Sequence, residues 1–250
     1  MQADSDNPAA RSAPSNAGLI RLDLHCHSEA SADCITPLTA FPERCRTRGI
    51  HVQAITDHNE IWGAQELQKR VETSEASEYL SIIVGEEVST NEGEIIGLFL
   101  EEKIPAGLSP EETVAQIKAQ GGLVLLPHGF DPLKRHALRE EARERLAESF
   151  DIIEVFNARI SNLKWNAAAS VWAAKHALPV SAGSDAHTLK DIGSACIEAP
   201  SGRADTPEHL LKLLKDSESH IDGEWTHPAV ALAYKAWDYL KSRYQNLTSR

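Results

Sequence analysis

No apolar run in the chain approaches the roughly 18 residues a membrane helix needs, and no two cysteines stand at CxxC spacing. The first absence excludes a transmembrane helix. The second leaves Cys26, Cys34, Cys45 and Cys196 far too sparse for a disulfide scaffold, which fits free thiols in a reducing cytosol. Basic charge is scarce as well: 25 Lys and Arg stand against 37 Asp and Glu, for a net charge of -12. General nucleic-acid binders and anionic-membrane binders need a basic surface, so both classes are excluded. A small anionic substrate is not, because bound divalent cations can reverse the field inside one cleft. The first residues show no basic stretch followed by an apolar one, so no secretory signal is expected and a cytoplasmic location is.

What is present suits one soluble globular unit. Hydrophobic residues make up 42% and charged residues 25% of 250 positions, and an α/β barrel commonly occupies about that length. Residues 1–18, rich in Ala, Ser, Asn and Pro, read as a disordered leader. From residue 19 strand and helix signals alternate. Strands are expected at 19–25, 51–57, 80–88, 94–100, 123–128, 152–157, 180–184 and 195–199, with 80–88 and 94–100 close enough to form a hairpin. Helices are expected at 37–47, 64–72, 137–148 and 161–176, after Thr206-Pro207-Glu208, and after Ser109, where Pro110 and Glu112 complete a capping box. Alternation of this kind implies mainly parallel strands covered by helices. The domain is expected to span residues 19–222, and residues 223–250 read as a C-terminal amphipathic helix carrying Tyr234 and Trp237, packed on the domain or on a partner subunit.

Metal-capable side chains recur where the strand-like runs stop. The words are LDLHCHS, AITDHNE, IIVGEEVST, LVLLPHGFD and SAGSDAHT, and they supply His25, His27, Asp57, His58, Glu87, His128, Asp185 and His187. One such word is commonplace, but five in series imply a polynuclear metal site assembled across the domain. His25 and His27, two apart on a strand, project to the same side, and Asp185 and His187 repeat that spacing. Cys26 between them faces away and reads as packing. Asp23 either orients a ligand or bonds a neighbouring strand. Asp57 either binds a further ion or holds an imidazole. Adjacent strand residues face opposite ways, so one of Glu86 and Glu87 looks inward, and Glu87 is preferred; a carboxylate can bridge two cations where a histidine cannot. His51, His136, His176, His209, His220 and His227 lie in helical or loop contexts and read as background.

The words LDLHCHSEASADC, AITDHNE, GEEVS, LPHGFDPL, IIEVFNAR and SAGSDAH together resemble the PHP (polymerase and histidinol phosphatase) domain in its stand-alone phosphoesterase form. The resemblance spans about residues 22–196. It implies a distorted (β/α)7 barrel with two or three divalent ions, commonly zinc, manganese or iron, at the C-terminal mouth of the strands. Carried over by position, His25, His27, Glu87 and Asp185 would hold one ion, His128 and a bridging Glu87 a second, and Asp33, His58 and His187 a third. Where family members often place a histidine on the next strand, this chain has Glu94, which either ligates the second ion or points to solvent.

Clustered cations acidify a shared water and polarise a phosphoryl oxygen, so the expected reaction is phosphate-ester hydrolysis without a protein nucleophile. Asp57, Asp185 and His187 are the expected catalytic groups. Arg159 is the favoured phosphate grip, with Lys134 and Arg135 beside it and Glu154 and Asn157 as supporting or substrate-contacting groups. The substrate class stays open between phosphomonoesters, nucleotide bisphosphates, histidinol phosphate and an oligonucleotide end; the acidic composition favours a small molecule or short oligonucleotide. Oligomeric state is not legible. Two other readings compete: an amidohydrolase cleaving C–N bonds, which would want a metal-bridging lysine, and a non-catalytic metal-stabilised module, which would have lost ligands.

Overall fold

The structure, a computed structural model, describes residues 18–215 and 220–225. Its strands are β1 (Leu19–Asp23), β2 (Val52–Ile55), β3 (Ser81–Thr90), β4 (Gly93–Leu98), β5 (Leu123–Leu126), β6 (Ile152–Asn157), β7 (Val180–Gly183), β8 (Ala195–Pro200) and β9 (His220–Gly223). The helices are α1 (Phe41–Arg48), α2 (Trp62–Glu72), α3 (Pro110–Ala119), α4 (Glu140–Arg145), α5 (Leu163–His176) and α6 (Pro207–Leu214).

β1 to β7 curl into a nearly closed barrel. The sheet order runs β7-β6-β5-β4-β3-β2-β1-β8-β9. The chain just beyond β1 then reaches β7: Leu24 N–H donates to the Ala182 carbonyl at 3.3 Å, and Asp185 N–H to the His25 carbonyl at 2.8 Å. Residues 19–22 of β1 pair instead with β8, antiparallel, which places β8 and β9 as a flap outside the ring. β3 and β4 form the expected hairpin, with Ser89 opposite Glu94. β4 is therefore antiparallel to both its neighbours, while the other barrel pairs are parallel. This is the distorted (β/α)7 barrel that the resemblance implied.

The period-2 pattern of the strands sorts the core into two layers. Leu24, Ala54, Ile83, Ile96, Leu125, Ile152 and Ala182, one from each barrel strand or its extension, share one buried cluster with α6. Ile55, Val84, Val124 and Ile153 turn the other way and pack against Phe41, Leu67, Ile117 and Trp172 of the helices. Ser109 and Glu112 form the capping box of α3, and Gly49, at φ 66°, ends α1 in the left-handed conformation that costs glycine little.

Two elements depart from the sequence reading. β9 was not anticipated; His220 lies in it, not in a loop, and pairs with Glu198. The helix expected at 137–148 is shorter, because residues 129–139 are pulled onto the β3–β4 turn: Glu94 N–H donates to the His136 carbonyl at 2.8 Å and Arg139 N–H to Glu92 at 2.9 Å. Residues 1–17 of the expected leader, and 226–250 of the expected C-terminal helix, lie outside the described residues.

Candidate metal centre

Parallel strands deliver their C-terminal ends to one mouth, and the metal-capable side chains meet there. His25 Nε2, His27 Nε2, Glu87 Oε2 and Asp185 Oδ1 converge on a point. Their separations are 3.3 Å between the imidazoles, 3.3 Å from each to Glu87, and 3.8 and 3.4 Å to Asp185. Four donors about 2.1 Å from a central ion in tetrahedral geometry would stand about 3.4 Å apart. The set therefore fits a divalent cation.

Glu87 serves two sides at once. Its Oε1 lies 2.8 Å from His128 Nε2 and its Oε2 faces His25, His27 and, at 3.3 Å, His58 Nδ1. Glu94 enters the same space, with Oε1 3.5 Å from His58 Nδ1 and Oε2 3.8 Å from His128 Nε2. Buried at 5% exposure, it does not point to solvent. A third group forms where Asp33 Oδ2 stands 3.0 Å from His187 Nε2 and 3.7 Å from His58 Nε2. Asp33 Oδ1 there is buried and takes no hydrogen bond. His58 thus turns one ring nitrogen to each group, where the sequence had assigned it to the third alone. Glu86 faces away and accepts from Ile104 N–H.

The orientation of several donors has a visible cause. Glu154 accepts from His25 Nδ1 at 3.0 Å and from the His128 N–H at 2.8 Å. Ser31 Oγ, held by Asp57, lies 3.2 Å from His27 Nδ1. The His25 and His27 rings are thereby turned so that Nε2 points inward. His128 and Asp185 have φ of 27° and 49°. For non-glycine residues such backbone costs about 1–3 kcal/mol and persists only where the surroundings enforce it.

Several expectations change. Asp57 is not among the converging donors: its oxygens accept from Ser28 and Ser31, so it braces the loop behind His27. Asn157 takes the supporting one of its two readings, donating to Glu154 at 3.0 Å and to Asp185 at 3.2 Å. Arg159 touches the Asp185 carbonyl and His187 Nδ1, so it supports donors as well as lining the mouth. Lys134 pairs with Asp185. Arg135 lines the cavity and has no ion-pair partner among the described residues. Asp23 takes the second of its two readings, accepting from Ser184 and bracing the start of the DAH loop. His136 lines the mouth too, though its loop context marked it as background. Ser28 and Ser31 were missed because nothing in the words LDLHCHSEAS distinguishes a buried hydroxyl from a turn residue.

The electrostatics are those of crowded like groups. Burial would neutralise Glu87 and Asp185. The imidazoles around Glu87, and Lys134 with His25 beside Asp185, outweigh it and hold both well below the usual carboxylate range. Glu94 has less help: burial and the neighbouring Glu87 charge push its carboxyl up to about 10. Burial and the Arg159 guanidinium push His187 down to about 3, which keeps its imidazole neutral and fit to bind a cation.

Comparison with known proteins agrees with this geometry. The family model described as PHP-associated matches residues 164–219. An uncharacterized protein of Methanocaldococcus jannaschii is 35% identical over 205 residues, covering 78% of this chain and 79% of that one. The chain belongs to the PHP family. The barrel of this PHP chain is similar to a crystal structure of a two-domain Bacteroides vulgatus protein containing a predicted PHP-like metal-dependent phosphoesterase. There the TM-score is 0.66 and the identity 15%, over 82% of this chain and 65% of that one. It is also similar to an amidohydrolase from Chromobacterium violaceum with bound sulfate and no metal. The TM-score is 0.53 and the identity 19%, over 67% of this chain and 87% of that one.

Gly183 shows how tightly the PHP donors are set. A Cβ there would stand 2.3 Å from His25 Cβ and 2.4 Å from Glu154 Oε1. Gly183→Ala should push His25 off its carboxylate and lower cation affinity about 10- to 100-fold, as loss of an orienting partner does. Calorimetric titration of the metal-free variant checks this; unchanged affinity would show that the spacing has slack.

Proposed function

We propose that the protein hydrolyses phosphate esters with two or three divalent cations, of which manganese, zinc and iron suit the donors. The observation that carries this reading is Glu87, whose two oxygens face separate donor groups. It occupies the bridging place where an amidohydrolase would want a lysine. The near-complete donor set also disfavours a non-catalytic scaffold.

His25, His27, Glu87 and Asp185 would hold one ion; His128, Glu87, Glu94 and His58 a second; Asp33, His187 and the other nitrogen of His58 a third. Divalent cations supply Lewis acidity there and acidify coordinated water. The chain's own residues do the rest. Arg135 and Lys134 reach into a cavity of about 390 Å³ and would grip the non-bridging phosphate oxygens. Neutral His187, facing Asp33 and braced by Arg159, would hold the third ion rather than carry a proton. The cavity suits a small phosphorylated molecule or the end of a short oligonucleotide. The acidic composition suits neither a long polymer nor an anionic membrane, and a cytoplasmic setting fits the four unpaired, buried cysteines.

Chelation should abolish phosphomonoesterase activity, and manganese or zinc should restore it; full turnover after rigorous demetallation would refute the reading. Arg135→Ala should raise KM about tenfold or more with metal content intact, since a charged hydrogen bond to phosphate is lost. Arg159→Ala should lower both metal content and turnover, because that side chain also braces Asp185 and His187.

Glu94 gives this centre its own character. A carboxylate is harder than an imidazole and should bias the second position toward manganese, iron or magnesium. Glu94→His should shift preference toward zinc, and Glu94→Ala should lose one ion per chain, both read by elemental analysis after equilibration with mixed metals. An unchanged metal count in Glu94→Ala would remove the residue from the site.

A further inference from the structure

Helix α5 carries an apolar stripe on the side that faces away from the barrel, flanked by Lys164, Ser170 and Lys175. Asn166, Ala169, Trp172 and Ala173 are buried against the domain, yet Leu163, Ala167, Val171 and Ala174 follow one another at helical spacing on the outer face and are exposed. Val171 stands 72% exposed and Leu163 46%. An exposed apolar stripe opposite the buried face of a helix marks a place where a second element can pack. Beside this stripe runs a groove of about 750 Å³, floored by Phe130, Trp165, Ala168 and Trp172, with Arg143 stacked on the Phe130 ring at 4.0 Å.

The course of the chain says what lies near this face. β9 is antiparallel to β8, which is antiparallel to β1, so β9 runs toward the mouth end of the barrel. Glu224 N–H then donates to the Ser194 carbonyl at 2.7 Å, and Trp225 Nε1 to the Ile160 carbonyl at 3.0 Å. Ile160 lies three residues before the first residue of α5. The chain thus leaves the described region at the N-terminal end of the exposed stripe, with residues 226–250 still to come. In their sequence Val230, Tyr234, Trp237, Leu240, Tyr244 and Leu247 recur at steps of three and four, a run of large apolar groups longer than the 14 residues of α5. At about 1.5 Å per residue even the compact helical form would outreach that helix.

We propose that residues 226–250 of the same chain dock on the outer face of α5 and into the groove beside it. The loop 129–139 forms the other wall of that groove and also carries Lys134 and Arg135 into the metal mouth. The docked segment steadies the two cations that face the substrate.

Limited trypsin digestion of the full chain, followed by mass spectrometry, reads the docking independently of turnover. Lys235, Lys241 and Arg243 should be cut slowly in the native protein. In Val171→Asp, which places a charge on the exposed stripe and touches no donor, cleavage at these sites should accelerate about tenfold while residues 18–225 stay intact. Val171→Leu should preserve the protection. Equal cleavage rates in the native chain and Val171→Asp would overturn the proposal. So would protection that vanishes on dilution to the monomer, since the occupant would then be the segment of a second copy.

Discussion

Four carboxylates and five imidazoles crowd the mouth of this barrel, most of them buried, and that crowding organises the molecule. Glu87, Glu94 and Asp185 are each at most 5% exposed, and His25, His27, His128 and His187 at most 6%. Buried charges of one sign are strongly unfavourable unless opposite charge stands among them. Part of the compensation comes from Lys134 and Arg159. The rest of the geometry, with donors on Glu87, Asp185, His25 and His27 spaced at tetrahedral edge lengths, is what a divalent cation satisfies. Much of the surrounding structure holds these groups against one another: Glu154 behind His25, the Asp57–Ser31 pair behind His27, Asn157 behind Asp185, and left-handed backbone at His128 and Asp185.

The barrel supplies this precision through its strands and departs from regularity where the site needs it. Turning β4 antiparallel brings Glu94 opposite Ser89 on the hairpin, two residues from Glu87 along β3, so that two carboxylates of sequential strands reach one space. The cost is a connection without a covering helix, and loop 129–139 fills that gap through its hydrogen bonds to Glu92 and Glu94. That loop in turn brings Lys134, Arg135 and His136 to the mouth. Substrate-facing cations and metal donors are thereby tied to the same turn of backbone.

Most of the fold was legible in the sequence because its signals are local. Strand ends marked by His, Asp and Glu, the Ser109 capping box and the short 88–94 connection each depend on residues a few positions apart. Contacts over long sequence distances were not legible in the same way. Asp57 reads as a donor in TDHN, and only the approach of Ser28 and Ser31 shows it occupied. Arg159 reads as a free phosphate grip, yet folding lays it against Asp185 and His187, 26 and 28 residues on. β9 escaped notice because its four residues, all exposed, lack the apolar alternation that marks a strand.

Anomalous diffraction from crystals equilibrated with manganese or zinc tests the cation-binding mouth most directly, because it locates ions without reference to any reaction. A strong peak should lie among His25 Nε2, His27 Nε2, Glu87 Oε2 and Asp185 Oδ1, with a second on the Oε1 side of Glu87 near His128 and Glu94. Crystals that bind metal only at surface sites, leaving the mouth without anomalous density, would contradict it.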